Sequence, residues 1–440
     1  MRKWLLGLLL LCQLGYAQRP AADFRDRIQP AVFALTMVML HDVVNPPAAA
    51  RYYAYCTAGA YEIVSLNNPA IPRGNGYMKS YPNVAINTKA GAYDHRIAAV
   101  YCILETGRLM LPSGFMLEEE QTKLLQSLKK EKVKTAVIDS SIAVAKTVAL
   151  QIVGWSKADS YNRLSARLRY TPVKGDGYWY PTPPAYMEAV EPHWKTIRPM
   201  IIDTCDEFAP PPPVPFSKDT ASAFYALGKE VYTVSLKPSQ EELTIASFWD
   251  CNPFAVSTAG HMAIGFKKIT PGGHWMNVAS IAAAKAGLDF DRSILLHTLT
   301  AMTEMDAFIS CWDEKYRSNR IRPETFINRY IDIKWKPLLQ TPPFPEYTSG
   351  HSVMSTATAD VLTYLLGDGF AFTDDSEVMF GIPARNFSSF MQAANEAAIS
   401  RLYGGIHYRD AIEKGQDQGK KIGDKIVEKL QVAGVKPLSP

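Results

Sequence analysis

The sequence predicts an all-α protein built from helical bundles. Apolar and small residues recur at helical spacing through most of the chain, whereas strand-like alternation of apolar and polar residues is scarce. Of the 440 residues, 47% are hydrophobic and 20% are charged, which suffices for a sizeable core and argues against disorder. Helix-bundle packing is the natural way to bury so many apolar stripes.

The helical periodicity begins at Ala31 and is interrupted at Asn45-Pro46-Pro47, because consecutive prolines break a helical pattern. Residues 170–186 are rich in Tyr, Pro and Gly and predict an irregular loop. The predicted helices are two between residues 31 and 61, followed by 90–110, 118–152, 219–235, 239–248, 254–266, 274–288, 291–318, 351–366, 386–403 and 410–432.

Changes in composition divide the chain into four parts. Arg2-Lys3, an apolar run over residues 4–14 and a small-residue cleavage site before Gln18 are typical of a secretory signal peptide. Four consecutive prolines, Pro210 to Pro213, indicate a linker. The predicted parts are a signal peptide at 1–17, an N-terminal helical region at 18–206, a Pro-rich linker at 207–218 and a C-terminal catalytic domain at 219–435.

Charge and cysteine usage restrict the partners. The formal net charge is +4, and removal of Arg2 and Lys3 with the leader lowers it by two, too little to indicate a nucleic-acid or anionic-membrane partner. No segment after the leader contains the 18 or more uninterrupted apolar residues of a membrane span. The five cysteines that remain are an odd number without metal-ligand spacing. We expect a periplasmic or secreted protein, and the sequence leaves a homodimer open.

Three basic clusters in the C-terminal half are the main functional signal. In the first, Lys315 and Arg322 are seven residues apart, so two helical turns would project both side chains from one face, and Pro323 is expected to end the helix. Arginine offers a planar fork for two oxygens of an oxyanion, and lysine a compact charge. Taken alone, the spacing is equally consistent with basic residues that complement a helix C-terminus.

The second cluster is Thr348-Ser349-Gly350-His351, which opens an apolar helix. Thr348 or Ser349 can act as the N-cap, and Gly350 allows a ligand to approach the backbone closely. The exposed N–H groups of a helix start favour an anion, and His351 would stand over it as a general acid or base. The tripeptide alone is a weak signal.

The third cluster contains Arg401, His407 and Asp410. Gly404-Gly405 should bend the chain so that Arg401 and His407 point into one cavity. Asp410, three residues after His407, can accept the N–H of one ring nitrogen and leave the other nitrogen as a nucleophile or an oxyanion ligand. A His–Asp pair that caps a helix is the alternative.

In this order the clusters are much more specific than any one of them. Across residues 290–425 the chain resembles one superfamily, which has the same motifs in the same order. These are Lys315-x6-Arg322-Pro323, then Ser349-Gly350-His351, then Arg401-x5-His407. The superfamily joins type-2 phosphatidic acid phosphatases, bacterial class A acid phosphatases and vanadium-dependent haloperoxidases. Two positions depart from its pattern. Thr348 stands where the motif has proline, and Asp410 is one residue earlier than the aspartate of the motif, whose position holds Ala411.

The resemblance implies a role for each position. Lys315, Arg322 and Arg401 would neutralise the oxygens of vanadate, or of phosphate in a phosphatase. Ser349 and the Gly350 N–H would add hydrogen bonds. His407 would be the ligand of the vanadium or the phosphate nucleophile, Asp410 would hold its ring, and His351 would transfer protons.

The same anion-binding site serves several functions, so the flanking residues have to discriminate. Trp312 and Phe344 predict an aromatic wall that makes the pocket drier, and they resemble the corresponding positions of fungal vanadium chloroperoxidases; ordinary core packing is the alternative for both. The favoured function is a vanadate-dependent haloperoxidase that oxidises halide with hydrogen peroxide and halogenates a small organic substrate. The alternatives are a secreted acid phosphatase that cleaves a phosphomonoester through phospho-His407, and a non-catalytic phosphate- or vanadate-binding protein.

Overall fold

A computed structural model describes residues 24–86, 92–253, 255–259, 262–265 and 268–438. The signal peptide predicted at 1–17 lies outside the described residues. The helices of the described N-terminal half are α1 (Ile28–His41), α2 (Pro46–Asn67), α3 (His95–Met110), α4 (Leu117–Lys130) and α5 (Thr135–Lys157). Those of the C-terminal half are α6 (Ala223–Leu236), α7 (Gln240–Phe248), α8 (Pro271–Lys285), α9 (Phe290–Ser318), α10 (Pro323–Tyr330), α11 (Gly350–Leu366), α12 (Phe390–Tyr403) and α13 (Arg409–Val432).

The prediction of an all-α fold is confirmed, and the extended structure consists of two short antiparallel hairpins in the described chain. They pair β1 (Val256–Ala259) with β2 (Met262–Gly265), and β3 (Phe372–Asp374) with β4 (Arg385–Phe387). The helix predicted at 254–266 is therefore wrong, because its apolar run is short enough to suit either structure. The helix predicted at 386–403 begins only at Phe390, after β4 and the cap residue Ser389.

Two other boundaries differ from the prediction. The segment predicted as one helix at 118–152 is two helices, with Lys132 at positive φ (60°) in the turn between α4 and α5. Helix α9 ends at Ser318 with Asn319 in the left-handed conformation (φ 50°), so Pro323 does not end it. Pro323 instead opens α10, where its fixed φ suits the first helical position.

The core crosses the predicted domain division. Helices α2 and α9 pack together, and Thr298 Oγ1 of α9 donates to the carbonyl of Thr57 on α2 (3.2 Å). Both carboxylate oxygens of Asp306, also on α9, accept backbone N–H groups of residues 200–202. One continuous cluster of buried apolar side chains contains residues from both halves. The division at 207–218 stays a prediction, but the two regions share a core.

The Pro-rich segment lies against the C-terminal half. Tyr347 donates its hydroxyl to the carbonyl of Pro211 (2.7 Å), and the ring of Phe216 packs on Phe224 of α6 with centroids 5.3 Å apart. Residues 170–186 form an irregular segment, as their composition predicts. The Pro-rich segment therefore covers the chain just before Ser349, and the irregular segment is joined to the end of α9, where the Trp179 N–H donates to the carbonyl of Asn319 (2.7 Å).

Helix α5 begins a stretch that meets the simple criteria for a membrane-spanning helix, although the sequence predicts that the mature chain has none. Within the described residues, the stretch Thr135–Ala166 is long and apolar enough to cross a membrane by length and composition alone. One face of α5 packs against α2 and α3, and 39% of its apolar window is buried. The core helix of a water-soluble protein has the same properties, so the absence of a span stays a prediction.

Helices α11 and α13 approach each other closely because one face of α13 carries Gly415, Gly419 and Gly423. A Cβ atom at Gly419 would lie only 2.3 Å from the backbone oxygen of Val353 on α11. The contact fixes the start of α11, where the Ser349 N–H donates to the carbonyl of Ala411 (3.0 Å). The glycine face of α13 thus positions the Ser-Gly-His segment against the chain that follows His407.

Replacing Gly419 with alanine is expected to lower the free energy of unfolding by about 1–3 kcal/mol, because an added methyl group has no room beside Val353. Urea denaturation followed by circular dichroism measures the change. The matched control is Gly154→Ala on α5, where no described heavy atom lies within 4 Å of the added Cβ. That variant should be neutral or more stable by up to about 1 kcal/mol. Equal destabilisation of both would contradict the close approach of α11 and α13.

Candidate active site

His407 reaches the site because the chain reverses after α12. The helix ends at Tyr403, and Gly405 has a positive φ (76°), which favours glycine. A Cβ atom at Gly405 would also lie 3.1 Å from the side chain of Pro337. The bend predicted at Gly404-Gly405 is therefore present, and it brings Arg401 and His407 to one cavity.

The buried carboxylate of Glu346 orients the His407 ring. Glu346 Oε1 lies 2.8 Å from His407 Nδ1 and accepts the backbone N–H of Tyr408 (3.0 Å). Its other oxygen accepts from Arg320 Nε (2.6 Å). Because a carboxylate accepts hydrogen bonds, this contact assigns the ring hydrogen to Nδ1 and leaves a lone pair on Nε2. Sequence reasoning missed Glu346, since no spacing links it to a histidine 61 residues away.

The prediction that Asp410 orients His407 is wrong. Its two carboxylate oxygens instead accept from the two terminal nitrogens of Arg320, both at 2.6 Å. Asp410 lies in the first turn of α13, which begins at Arg409, and its side chain is directed at Arg320. Asp410 thus reaches the histidine only indirectly, through Arg320 and Glu346.

Lys315 and Arg322 converge from different elements. Lys315 is in the last turn of α9, whereas Arg322 is the residue before α10, so they do not share one helical face as the spacing suggested. Lys315 Nζ donates to the backbone oxygens of Pro345, Glu346 and Thr348. These uncharged acceptors position the ammonium without neutralising it.

Arg322 is held in the same way. Its Nε donates to the carbonyl of Phe344 (2.9 Å) and its Nη1 to the carbonyl of Ile406 (2.9 Å), while Nη1 also lies 3.1 Å from His407 Nε2. Both Lys315 and Arg322 have side chains without solvent exposure. Two positive charges are therefore buried near His407, whose Nε2 accepts a hydrogen bond from Arg322 Nη1.

Arg401 and His351 meet at one backbone carbonyl. Trp249 O accepts from Arg401 Nη1 (2.5 Å) and lies 3.1 Å from His351 Nε2. Arg401 Nη1, which donates to that carbonyl, also lies 3.3 Å from His351 Nε2. His351 is in the first turn of α11, directly after Gly350, and both residues line the cavity. Ser349 lies behind them, with its hydroxyl accepting the N–H of Ser352 (3.3 Å) as the helix cap.

The aromatic wall predicted from Trp312 and Phe344 is present. The two rings are 4.9 Å apart, and Lys315 Nζ is 5.1 Å from the centroid of Phe344. Together with Phe308 they line a cavity of about 40 Å³ that also borders Arg401 and His407. A water molecule needs about 10–15 Å³ on this measure, so the cavity suits one compact anion with a few oxygens.

Burial disfavours the positive charges of the site. It lowers the pKa of Lys315 to about 8, and nearby Arg322 acts in the same direction. It also lowers the pKa of Arg322 to about 10. Burial, reinforced by Arg322 and Lys315, holds the pKa of His407 well below its usual range. A bound anion would relieve all of these penalties.

Two buried N–H groups complete the evidence for an anion. Within the described chain, Arg322 Nη2 and Arg401 Nε have no hydrogen-bond partner. Buried donors left unpaired are costly, so an oxyanion that accepts from both would stabilise the site. The fold and the site thus define an enzyme that binds a small oxyanion in the core of a helical bundle. Two neutral imidazoles, those of His351 and His407, line its cavity.

Comparison with known proteins identifies the family. The crystal structure described as that of the first bacterial vanadium-dependent iodoperoxidase matches with a TM-score of 0.86 and 43% sequence identity, over 92% of this chain and 96% of that chain. The family model of the VCPO second helical-bundle domain matches residues 295–433. The chain therefore belongs to the vanadium-dependent haloperoxidase family.

More distant structures share the fold. The holo-type bacterial vanadium-dependent chloroperoxidase matches with 16% identity and a TM-score of 0.67, over 89% of this chain and 93% of that chain. The apo-type structure matches with 15% identity and a TM-score of 0.64, over 89% and 94% of the two chains. Among curated protein sequences, none matches the chain.

Glu346→Gln is expected to weaken vanadate binding by about 10–100-fold, because the amide is a poorer acceptor for the His407 N–H and loses the charge that balances Arg320. Isothermal titration calorimetry with vanadate measures this, and thermal unfolding checks that the variant is folded. Asp410→Asn is the matched control and should weaken binding much less, since Asp410 does not contact the ring. If Asp410→Asn lost more vanadate affinity than Glu346→Gln, Asp410 and not Glu346 would be the residue that orients His407.

Anion affinity is expected to fall as the pH rises above about 8, the lowered pKa of Lys315. Below that pH the ammonium is already protonated; above it, binding must also take up a proton, which costs up to about tenfold in affinity per pH unit. Calorimetry with phosphate between pH 7.5 and about 9.5 tests this, because phosphate remains mostly a dianion there. Lys315→Arg keeps its charge and should give a flatter profile; identical profiles would contradict the role of Lys315.

Proposed function

We propose that this enzyme binds vanadate at His407 and uses hydrogen peroxide to oxidise a halide, with iodide as the preferred halide. The observation that carries the proposal is a set of three buried cations close to His407. Arg401 and His407 line one small cavity. Arg322 contacts His407 Nε2, and Lys315 lies 5.1 Å from the ring of Phe344, which lines the same cavity. The charges of the three cations lack a carboxylate partner among the described side chains, and the site is therefore suited to a multiply charged oxyanion.

The residues fit vanadate. His407 Nε2 offers a lone pair, because Glu346 holds the ring hydrogen on the opposite nitrogen. Arg322 Nη2 and Arg401 Nε offer two unpaired N–H groups to its oxygens. When bound, vanadate would supply a Lewis acid that makes hydrogen peroxide electrophilic.

The protein side chains provide charge stabilisation and proton transfer. Lys315, Arg322 and Arg401 would hold the oxygens of vanadate and stabilise negative charge that develops on them. Burial and the adjacent Arg401 keep the pKa of His351 well below its usual range, so this imidazole is neutral and can accept a proton from peroxide. The protonated His351 would then act as the acid that returns this proton to a departing oxygen.

The halide specificity rests on the similarity to the iodoperoxidase and on the aromatic wall. Trp312, Phe344 and Phe308 make one side of the cavity apolar, which disfavours a strongly hydrated halide more than a weakly hydrated one. Iodide is the largest and least hydrated of the common halides. A small organic molecule would then be halogenated by the oxidised halide.

A periplasmic or secreted location is part of the same proposal and is supported by the leader-like composition of residues 1–17. Halide and peroxide are available there without transport into the cell. Fractionation of cells that express the full-length gene, followed by N-terminal sequencing of the mature protein, tests this location.

The purified protein, loaded with orthovanadate, should oxidise iodide in the presence of hydrogen peroxide, whereas the vanadate-free protein should not. Formation of triiodide measures the rate, and chloride and bromide in place of iodide measure the preference. His407→Ala should lower the rate by at least about 1,000-fold, because both the ligand and its orientation are lost.

Hydrolysis of p-nitrophenyl phosphate without vanadate is the parallel assay for the phosphatase alternative. Hydrolysis that exceeds iodide oxidation and is inhibited by vanadate would replace the proposal with a phosphatase. Vanadate binding without either activity would leave a binding protein. His41→Ala, at an exposed histidine that is not among the residues lining the cavity, is the control and should keep the wild-type rate.

A further inference from the structure

Four buried side chains next to the oxyanion cavity have no role in the proposed reaction. Cys251 follows α7, His274 lies in the first turn of α8, and Asp374 and Glu377 lie at and after the end of β3. All four are almost fully shielded from solvent, between 0% and 3% exposed. Elements distant in sequence therefore bring a thiol, an imidazole and two carboxyl groups together in the core.

Three of these groups present metal-ligating atoms to a common point. His274 Nδ1 is 3.5 Å from Cys251 Sγ and 3.1 Å from Glu377 Oε1, and the sulfur is 4.0 Å from the same carboxylate oxygen. Tetrahedral zinc with ligand bonds of about 2.0–2.3 Å places its ligand atoms about 3.3–3.6 Å apart. The observed separations differ from these values by about 0.4 Å or less, so small side-chain adjustments would complete the geometry.

Asp374 acts on the opposite side of the imidazole. Its Oδ2 lies 2.7 Å from His274 Nε2, and its Oδ1 accepts the backbone N–H of Ser376 (3.0 Å). A carboxylate that holds the second ring nitrogen of a histidine is typical of zinc sites, because it fixes the ring and directs the lone pair at the metal. The ring is also stacked on Trp249, with centroids 4.5 Å apart and an interplanar angle of 17°.

We propose that Cys251, His274 and Glu377 bind a zinc ion, with Asp374 as the outer partner of the histidine. A thiolate and an imidazole select zinc over magnesium or calcium, which require oxygen ligands. Binding releases the thiol proton of Cys251 and the proton from His274 Nδ1, and water occupies the fourth position. The proposal rests on these four side chains and does not depend on vanadate.

Such an ion would support the oxyanion site through Trp249. The indole of Trp249 packs on His274, and its carbonyl binds Arg401 and His351. Zinc at His274 would therefore stabilise the loop that positions both residues, and Cys251 itself lines the cavity. We assign zinc a structural role in the arrangement of Arg401 and His351.

The test uses the full-length mature protein, dialysed against a chelator and then loaded with Zn²⁺ or Co²⁺. Mass spectrometry of the metal should find one zinc per chain after gel filtration. The Co²⁺ form should show a near-ultraviolet thiolate-to-cobalt charge-transfer band. Absence of that band, or less than about 0.1 zinc per chain, would show that the cluster is a metal-free hydrogen-bonded group.

Variants distinguish this site from other metal-binding groups. Cys251→Ser and Glu377→Gln should each lower zinc affinity by at least about 100-fold, and the first should abolish the charge-transfer band. Cys205→Ser is the matched control, because that half-buried cysteine is not in the cluster, and it should keep both signals. His407→Ala should also retain zinc, which separates this result from any failure of vanadate binding. Full zinc affinity in Cys251→Ser or Glu377→Gln would overturn the proposal.

Discussion

The carboxylate of Glu346 connects the basic clusters of the sequence. One oxygen holds the His407 ring and the following N–H, and the other holds Arg320. Arg320 in turn binds Asp410 at the start of α13. Without this carboxylate, His407 would lose its orientation and Arg320 would be left with only the partly exposed Asp410. The geometry of the remaining site depends on this one buried group.

The protein separates the cations it neutralises from those it leaves for a ligand. Arg320 is paired with two carboxylates, whereas Lys315, Arg322 and Arg401 are held by backbone carbonyls. Carbonyl dipoles fix a side chain in place and cancel little of its charge. Burying a charge costs desolvation free energy unless an opposite charge compensates it. Binding of an oxyanion therefore offsets the desolvation penalty of the three unpaired cations. The same desolvation penalty therefore lowers the stability of the empty site and raises its affinity for the anion.

Sequence reasoning predicted the helices and the converging clusters because both follow from local patterns. Apolar periodicity predicted α9, α11 and α13, and the Gly404-Gly405 pair predicted the bend before His407. Sequence reasoning failed where contacts between residues distant in the chain determine the structure. The apolar run at 254–266 suits a hairpin as well as a helix, and the partner of His407 is a glutamate 61 residues away. A nearby aspartate was the plausible choice from spacing, but Arg320 competes for it more strongly.

Trp249 shows how a residue without a reactive group can control such a site. Its backbone oxygen binds Arg401 and lies against His351, so a shift of the chain at this point would move a cation and an imidazole together. Its indole is packed between His274 and the rings of Phe248 and Phe387, and its Nε1 donates to Glu396 (3.1 Å). Because packed interiors transmit small displacements, the environment of the indole sets the position of the carbonyl. The cluster around His274 therefore borders the oxyanion cavity at Cys251, and it acts on Arg401 and His351 through the packing of one tryptophan.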